Sequence, residues 1–165
     1  MMEPQPVSER SNVTLRQISK DTVWTICNLF VQEDQKQFVE PNAISIAEAY
    51  FSKEAWFRGI YAEETPVGFA MLEEQPAKAR YFLWRFMIDA RYQKFGFGKQ
   101  AIGLLVEHVK TLPNATELLT SVVQTEGGPQ DFYENIGFKL TGEYDDGEAV
   151  MRLLFQVEQD INIWN

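Results

Sequence analysis

The 165-residue chain contains one cysteine and one histidine, Cys27 and His108. A single thiol allows no intrachain disulfide, and one residue of each kind cannot assemble a Cys/His zinc cluster. Stability must therefore come from an apolar core, and the composition suits a reducing cytoplasm. Basic residues are also scarce. Fifteen Lys and Arg stand against 24 Asp and Glu, giving a formal charge of −9 and a sequence pI near 4.7. That excludes a broad basic face for neutralising phosphates, and with it nucleic acid as a partner. The surplus negative charge either serves solubility or draws cationic substrates. Nowhere do the roughly 18 consecutive apolar residues of a membrane span occur. Met1 to Asn12 is polar, carries two prolines and lacks the apolar stretch of a secretory signal. The expectation is a protein neither exported by that route nor embedded in a membrane.

What is present is ordinary globular material: 45% hydrophobic, 13% aromatic and 24% charged residues. At roughly 150 residues per domain, one domain is expected. It should span residues 13–155, after a loose tail over residues 1–12. Residues 156–165 would form a second tail or, through Ile161, Ile163 and Trp164, a contact in a homodimer.

Hydrophobic spacing divides the chain into alternating elements. Val13, Leu15 and Ile18 suggest a first strand. Val23, Trp24, Cys27, Phe30 and Val31 recur at helical spacing, with Cys27 as a small packing residue. Ser45-Ile46-Ala47-Glu48 has capping-box spacing, predicting a second helix from Ile46 to about Lys53. Phe57 to Tyr61 and Val67 to Leu72 read as a hairpin. Tyr81 to Ile88 is apolar on both alternating faces apart from Arg85, as a strand covered on both sides requires. Ala101, Ile102, Leu105, Val106 and Val109 mark one face of a helix, with His108 beside the stripe as a surface or packing residue. A strand over Leu118 to Val123 and a helix over Pro129 to Ile136 follow. Two strands, near Phe138 to Gly142 and Ala149 to Phe155, close a mixed α/β domain of order β-α-α-β-β-β-α-β-α-β-β.

The segment Arg91-Tyr92-Gln93-Lys94-Phe95-Gly96-Phe97-Gly98-Lys99 joins the buried strand directly to the amphipathic helix. A glycine-bearing loop that opens a helix presents unpaired N–H groups and a favourable dipole to an anion. Gly96-Phe97-Gly98-Lys99-Gln100-Ala101 formally fits a dinucleotide fingerprint. It comes after several strands, however, and without the repeated βαβ context. No Gly-Lys-Ser/Thr follows, which excludes a Walker A loop. Tyr133-Glu134-Asn135-Ile136-Gly137-Phe138 begins 35 residues after Gly98.

Gln93, Gly96 and Gly98 together with Tyr133, Gly137 and Phe138 make the chain resemble the GNAT superfamily of acetyl-CoA-dependent N-acetyltransferases, over about Val13 to Phe155. The resemblance implies a largely antiparallel twisted sheet flanked by helices, with a splayed central strand pair. It further implies that Phe86, Met87 and Ile88 offer backbone groups to the pantetheine arm. Gln93, Lys94, Phe95, Gly96, Phe97, Gly98 and Lys99 would hold the pyrophosphate, and Tyr133 would protonate the leaving sulfur. No metal is implied. At Lys94 the family often has glycine. Within the superfamily, Phe82 to Gln93, Phe38-Val39-Glu40 and Thr141-Gly142-Glu143 look most like bacterial spermine/spermidine acetyltransferases. The acceptor would then be a small amine, with polyamine leading, held by Glu33, Asp34 and Glu40 between walls at Trp84 and Tyr92. Each of these carboxylates taken alone reads first as a solvated loop charge, and Trp84 stands where such enzymes often have an acidic residue. Glu40 is the candidate base. An acyl-CoA-binding sensor without turnover and an acetyltransferase for another amine or a peptide are the alternatives.

Overall fold

The computed structural model describes residues 6–156. Seven strands form one sheet in the order β1-β2-β3-β4-β5-β7-β6. They are β1 (Val13–Arg16), β2 (Ala55–Ala62), β3 (Thr65–Gln75), β4 (Arg80–Ile88), β5 (Glu117–Val122), β6 (Lys139–Asp145) and β7 (Glu148–Leu154). Every neighbouring pair is antiparallel except β4 and β5, which run parallel. The helices are α1 (Val23–Cys27), α2 (Asn42–Tyr50), α3 (Phe97–Lys110) and α4 (Gln130–Ile136). The mixed α/β order and the largely antiparallel sheet read from the sequence are those observed. No helix among the described residues is long and apolar enough to cross a membrane.

The sheet separates two apolar layers. On one side α3 lays Phe97, Ala101, Ile102, Leu105 and Val109 against Ile60, Leu72, Tyr81, Leu83, Leu118 and Met151, all buried. The stripe read at helical spacing is the buried one, and each large side chain contributes about 2 kcal/mol by leaving water. Tyr81 is buried in the same layer and donates its hydroxyl to Pro113 O at 2.6 Å. On the other side Ile26, Leu29 and Ala49 cover Tyr61, Phe69, Met71 and Met87. His108 packs as read: its ring stacks on Trp56 at 4.0 Å and it hydrogen-bonds Glu74.

Three expectations are corrected. The first helix stops at Cys27 instead of running to Val31. The Asn28 side chain donates to Trp24 O, and Phe30 exchanges its backbone hydrogen bonds with Asp89 and Ala90 instead of continuing the helix. Tertiary partners outweigh local spacing there: Trp24 points outward at 79% exposure, and Ile26 is the helix's core residue. Ser45 is not a cap but a fully buried position within α2, which starts after Pro41. Residues 7–12, expected to be loose, are docked. Val7 packs on the core, Ser8 and Ser11 close a turn, and Ser11 is buried. The expected dimer contact at Ile161, Ile163 and Trp164 lies outside the described residues.

Candidate active site

β4 and β5 share only two register pairs, Phe82 with Leu119 and Leu83 with Thr120. β4 nevertheless continues to Ile88 and β5 to Val122, so the strands part after Leu83. A cleft of about 900 Å³ opens between them, lined along β4 by Phe86, Met87 and Ile88. The edge of β4 turned toward the cleft has lost its strand partner, and a strand edge of this kind suits an extended, amide-bearing ligand. Met87 buries its side chain under α1 and α2, whereas Phe86 stacks at 6.0 Å on Phe132 of α4.

β4 is also irregular. Met71 of β3 opposes Arg85 and Leu72 opposes Leu83, leaving Trp84 as the extra residue of a bulge. Trp84 and Arg85 both line the cleft. Arg85 lies 5.4 Å from the Trp84 ring centre and donates to Glu48 of α2 at 3.1 Å.

The loop from β4 to α3 is shaped for an anion. Lys94 and Gly96 both adopt left-handed backbone, at φ +71° and +82°. That conformation costs a residue with a Cβ roughly 1 kcal/mol, which Lys94 bears and a glycine would not. Gly96 heads α3 with no side-chain cap, and the first turn of α3 contains no acidic residue. Its leading N–H groups are therefore available to a diphosphate, with Lys94 and Lys99 lining the same cleft. A Cβ on Gly98 would lie 3.1 Å from two atoms of the Phe132 ring, so α3 and α4 approach at that point only because the position is bare. Phe97 is buried, and Phe95 stacks on it at 5.4 Å, outside the cleft lining. Phe95 serves the loop through packing, while Phe97 also reaches the lining.

Gln93 lines the same cleft, and its side-chain amide is engaged within the protein. Its amide donates to Ile88 O at 3.0 Å and to Gln35 Oε1 at 2.8 Å, and its oxygen accepts from Gln32 Nε2 at 3.2 Å. The side chain thus bridges the loop of residues 89–99 to a 3-10 turn at Glu33–Gln35. A second bridge lies close by. The fully buried Asp89 accepts from Phe30 N–H, from Arg91 N–H and from the Arg91 guanidinium. Burial alone would raise this carboxyl, but the Arg91 side chain and the two N–H groups outweigh it and hold it below its ordinary range.

Tyr133 of α4 is buried against Phe132 and Phe138 and reaches the cleft beside Thr120. Burial pushes its phenol well above the ordinary value, only partly offset by the Thr120 hydroxyl. The group therefore stays protonated across the neutral and alkaline range.

Across the cleft the lining is acidic, though not where the sequence suggested. Of the residues named for the acceptor, Glu40, Trp84 and Tyr92 line it, joined by Phe38 and Val39. Glu33 and Asp34 do not: the Glu33 side chain is 88% exposed and pairs with Lys36. Instead Asp145, Asp146 and Glu148 of the β6–β7 hairpin reach the lining, with Ser121 of β5. Sequence spacing gave no sign of them, because they arrive through sheet pairing between segments far apart in the chain.

This arrangement, a parted parallel strand pair with an anion-receptive loop and a buried tyrosine at the gap, is that of a coenzyme A-dependent acyltransferase. The acetyltransferase (GNAT) family model matches residues 19–138, and the chain belongs to that family, whose members are acetyl-CoA-dependent N-acetyltransferases. The chain is 29% identical to a spermine/spermidine N(1)-acetyltransferase of Bacillus subtilis over 150 residues, covering 85% of this chain and 97% of the relative. Among solved structures, a domain from Methanocaldococcus jannaschii superposes with a TM-score of 0.70 at 14% identity, over 88% of this chain and 99% of that one. The spermidine N-acetyltransferase of Vibrio cholerae, solved in complex with CoA and spermine, gives 0.66 at 18% identity over 86% and 95%. Among the described residues no grouping of three His, Cys, Asp or Glu side chains could hold a metal ion.

Proposed function

We propose that the protein moves the acetyl group of acetyl-CoA to a primary amine of a polyamine, in a reducing cytoplasm. The observation that carries this reading is the two-sided cleft. One side is a strand edge and an uncapped helix start, and the other is rimmed by Glu40, Asp145, Asp146 and Glu148 beside Trp84 and Tyr92. Two or more ammonium groups on a flexible chain match such a rim, and the aromatic rings add cation–π attraction. The Bacillus relative named for spermine and spermidine supports the same acceptor.

The bound coenzyme supplies the activated thioester. The free edge of β4 at Phe86, Met87 and Ile88 aligns its amide-rich arm. The N–H groups at the start of α3, with Lys94 and Lys99, neutralise the diphosphate. Tyr133 holds a proton at the gap between the strands for the departing sulfur. Burial disfavours both phenolate and thiolate, so the rise in the tyrosine's pKa does not by itself strand the proton. Gln93 and Asp89 keep the acceptor loop in register with the coenzyme loop.

The test is thiol release from acetyl-CoA with spermine, spermidine, short diamines, aminoglycosides and amino acids offered in parallel. Turnover concentrated on the polyamines is expected, with an acceptor KM that rises with salt as the acidic rim is screened. Turnover of the other amines with none for polyamines overturns the acceptor assignment, and coenzyme binding without turnover of any amine overturns the reaction.

A further inference from the structure

Tyr133 supplies the proton that the sulfur needs, but a polyamine is an ammonium at neutral pH and must first lose one of its own. Successive side chains on a strand point to opposite faces. On β5 this splits two neighbours at the place where β4 departs. Thr120, the last residue in register with β4, lies beside Tyr133 in the layer covered by α3 and α4. Ser121 points to the other face and donates its hydroxyl to Glu148 Oε2 at 2.6 Å. Glu148 stands two residues before Val150, the register partner of Ser121, so both side chains share that face. Both line the cleft.

The separation is in the range of a charge-assisted O–H to carboxylate bond. Among the described residues Glu148 has no basic partner. The charged groups around it are Asp145, opposite it in register, Asp146 in the hairpin turn, Arg152 farther along the same face of β7, and Lys36, Glu40, Arg85, Lys94 and Lys99, which line the same cleft. The adjacent carboxylates draw an ammonium toward Ser121.

We infer that Ser121 and Glu148 form the relay that deprotonates the acceptor, Ser121 touching the amine and Glu148 acting through it. This rests on the acetyl-transfer reading above. An N–H bond of the ammonium breaks and its proton passes to Ser121 Oγ as the Ser121 hydroxyl proton moves to the Glu148 carboxylate. The nitrogen keeps the electron pair and forms the C–N bond to the acetyl carbon. The C–S bond breaks, and the sulfur takes its electrons and the Tyr133 proton. The second proton lost by nitrogen restores the phenol, and Glu148 releases its own to solvent. β5 thus carries Thr120, beside the proton donor, on one face of the sheet and Ser121, the first group of the relay, on the other, one residue apart.

The experiment compares wild type, Glu148→Gln, Ser121→Ala and Ser121→Thr at saturating acetyl-CoA. Two acceptors are used: spermidine, and trifluoroethylamine, whose electron-withdrawing group leaves it neutral at the assay pH. With spermidine, kcat should fall about 100-fold in Glu148→Gln and Ser121→Ala and recover in Ser121→Thr. With trifluoroethylamine the loss should stay under about threefold, because no proton need be removed first. The spermidine kcat of the two impaired variants should climb about tenfold per pH unit toward the amine's own pKa, near 10, while the wild type levels off earlier. Unchanged kcat, or an equal loss on both amines with an unaltered pH profile, overturns the relay. If the wild type acetylates other primary amines but not polyamines, the acceptor assignment falls, and the same comparison on the preferred amine decides the relay. No turnover with any amine overturns both.

Discussion

The two walls of the cleft are built by different means. The coenzyme wall is contiguous and largely backbone: a strand edge, the loop after it and the start of the helix that follows occupy residues 86–99 without interruption. Its recognition elements are peptide groups, and its side chains matter chiefly where they must be absent, as at Gly98. The acceptor wall is assembled from side chains on residues 31–40, on the bulge of β4, on β5 and on the β6–β7 hairpin. A ligand that presents the same diphosphate in every related enzyme can be held by backbone geometry. An acceptor has to be distinguished from other amines, which requires charges and rings in particular places. Tyr133 and the Ser121–Glu148 pair line the gap between the two walls.

The change that most sharply separates chemistry from either wall is Tyr133→Phe. It removes one oxygen and leaves the ring against Phe132 and Phe138. A fall in kcat of about 100-fold is expected, with coenzyme affinity within about twofold of wild type, measured by steady-state kinetics and calorimetry. The pH dependence has a definite sign. Burial raises the phenol above its ordinary value near 10, so the donor form is present at every pH below that raised value. The wild-type rate should therefore show no alkaline descent assignable to Tyr133 below about pH 10. Full activity in the Phe variant over the whole range would remove the assignment.

The coenzyme wall can be broken alone by Gly98→Asp. The new Cβ would press on the Phe132 ring, which stacks on Phe86, and the carboxylate would sit beside a diphosphate. Coenzyme affinity should weaken roughly 30-fold, about 2 kcal/mol. Gly98→Ala, with the same steric demand and no charge, should lie between. Equal losses in the two variants would show that the ring contact alone is responsible. An Asp variant that binds coenzyme as tightly as wild type would sink the assignment of this loop.

That contrast also explains what could be read before any coordinates. Gly96, Gly98 and Tyr133 were legible because backbone demands recur as fixed spacings, and the stripe Ala101, Ile102, Leu105 and Val109 because burial enforces helical period. The element order followed from the same periodicities. Glu33 and Asp34 were misplaced because a carboxylate in a connection has no spacing to say which way it faces. Ser121 and Glu148 meet only through the β5–β7 register, 27 residues apart in sequence. The overlong first helix has a similar origin. Phe30 fits the helical stripe, but its backbone is claimed by Asp89 and Ala90, nearly sixty residues later.

The smallest expected effect tests whether the walls are coupled. Gln93 sits in the coenzyme loop by sequence, yet all three of its side-chain hydrogen bonds run to Ile88, Gln32 and Gln35. If the amide reached the diphosphate in the bound state, Gln93→Ala would weaken coenzyme binding first. If it holds the acceptor loop against the coenzyme loop, the loss falls on the acceptor. Each neutral hydrogen bond of this kind is worth about 1 kcal/mol net, and water replaces part of it at a half-exposed site. The expected result is an acceptor KM raised about fivefold, with coenzyme affinity within about twofold. Gln35→Ala, which removes one of the three bonds, should shift the acceptor KM in the same direction by less, and the double variant should cost less than the sum of the two because the Gln93–Gln35 bond is lost in both. A coenzyme affinity that falls while the acceptor KM holds would place Gln93 on the coenzyme wall after all. The joint between the two walls would then rest on Phe30 with Asp89 and Ala90.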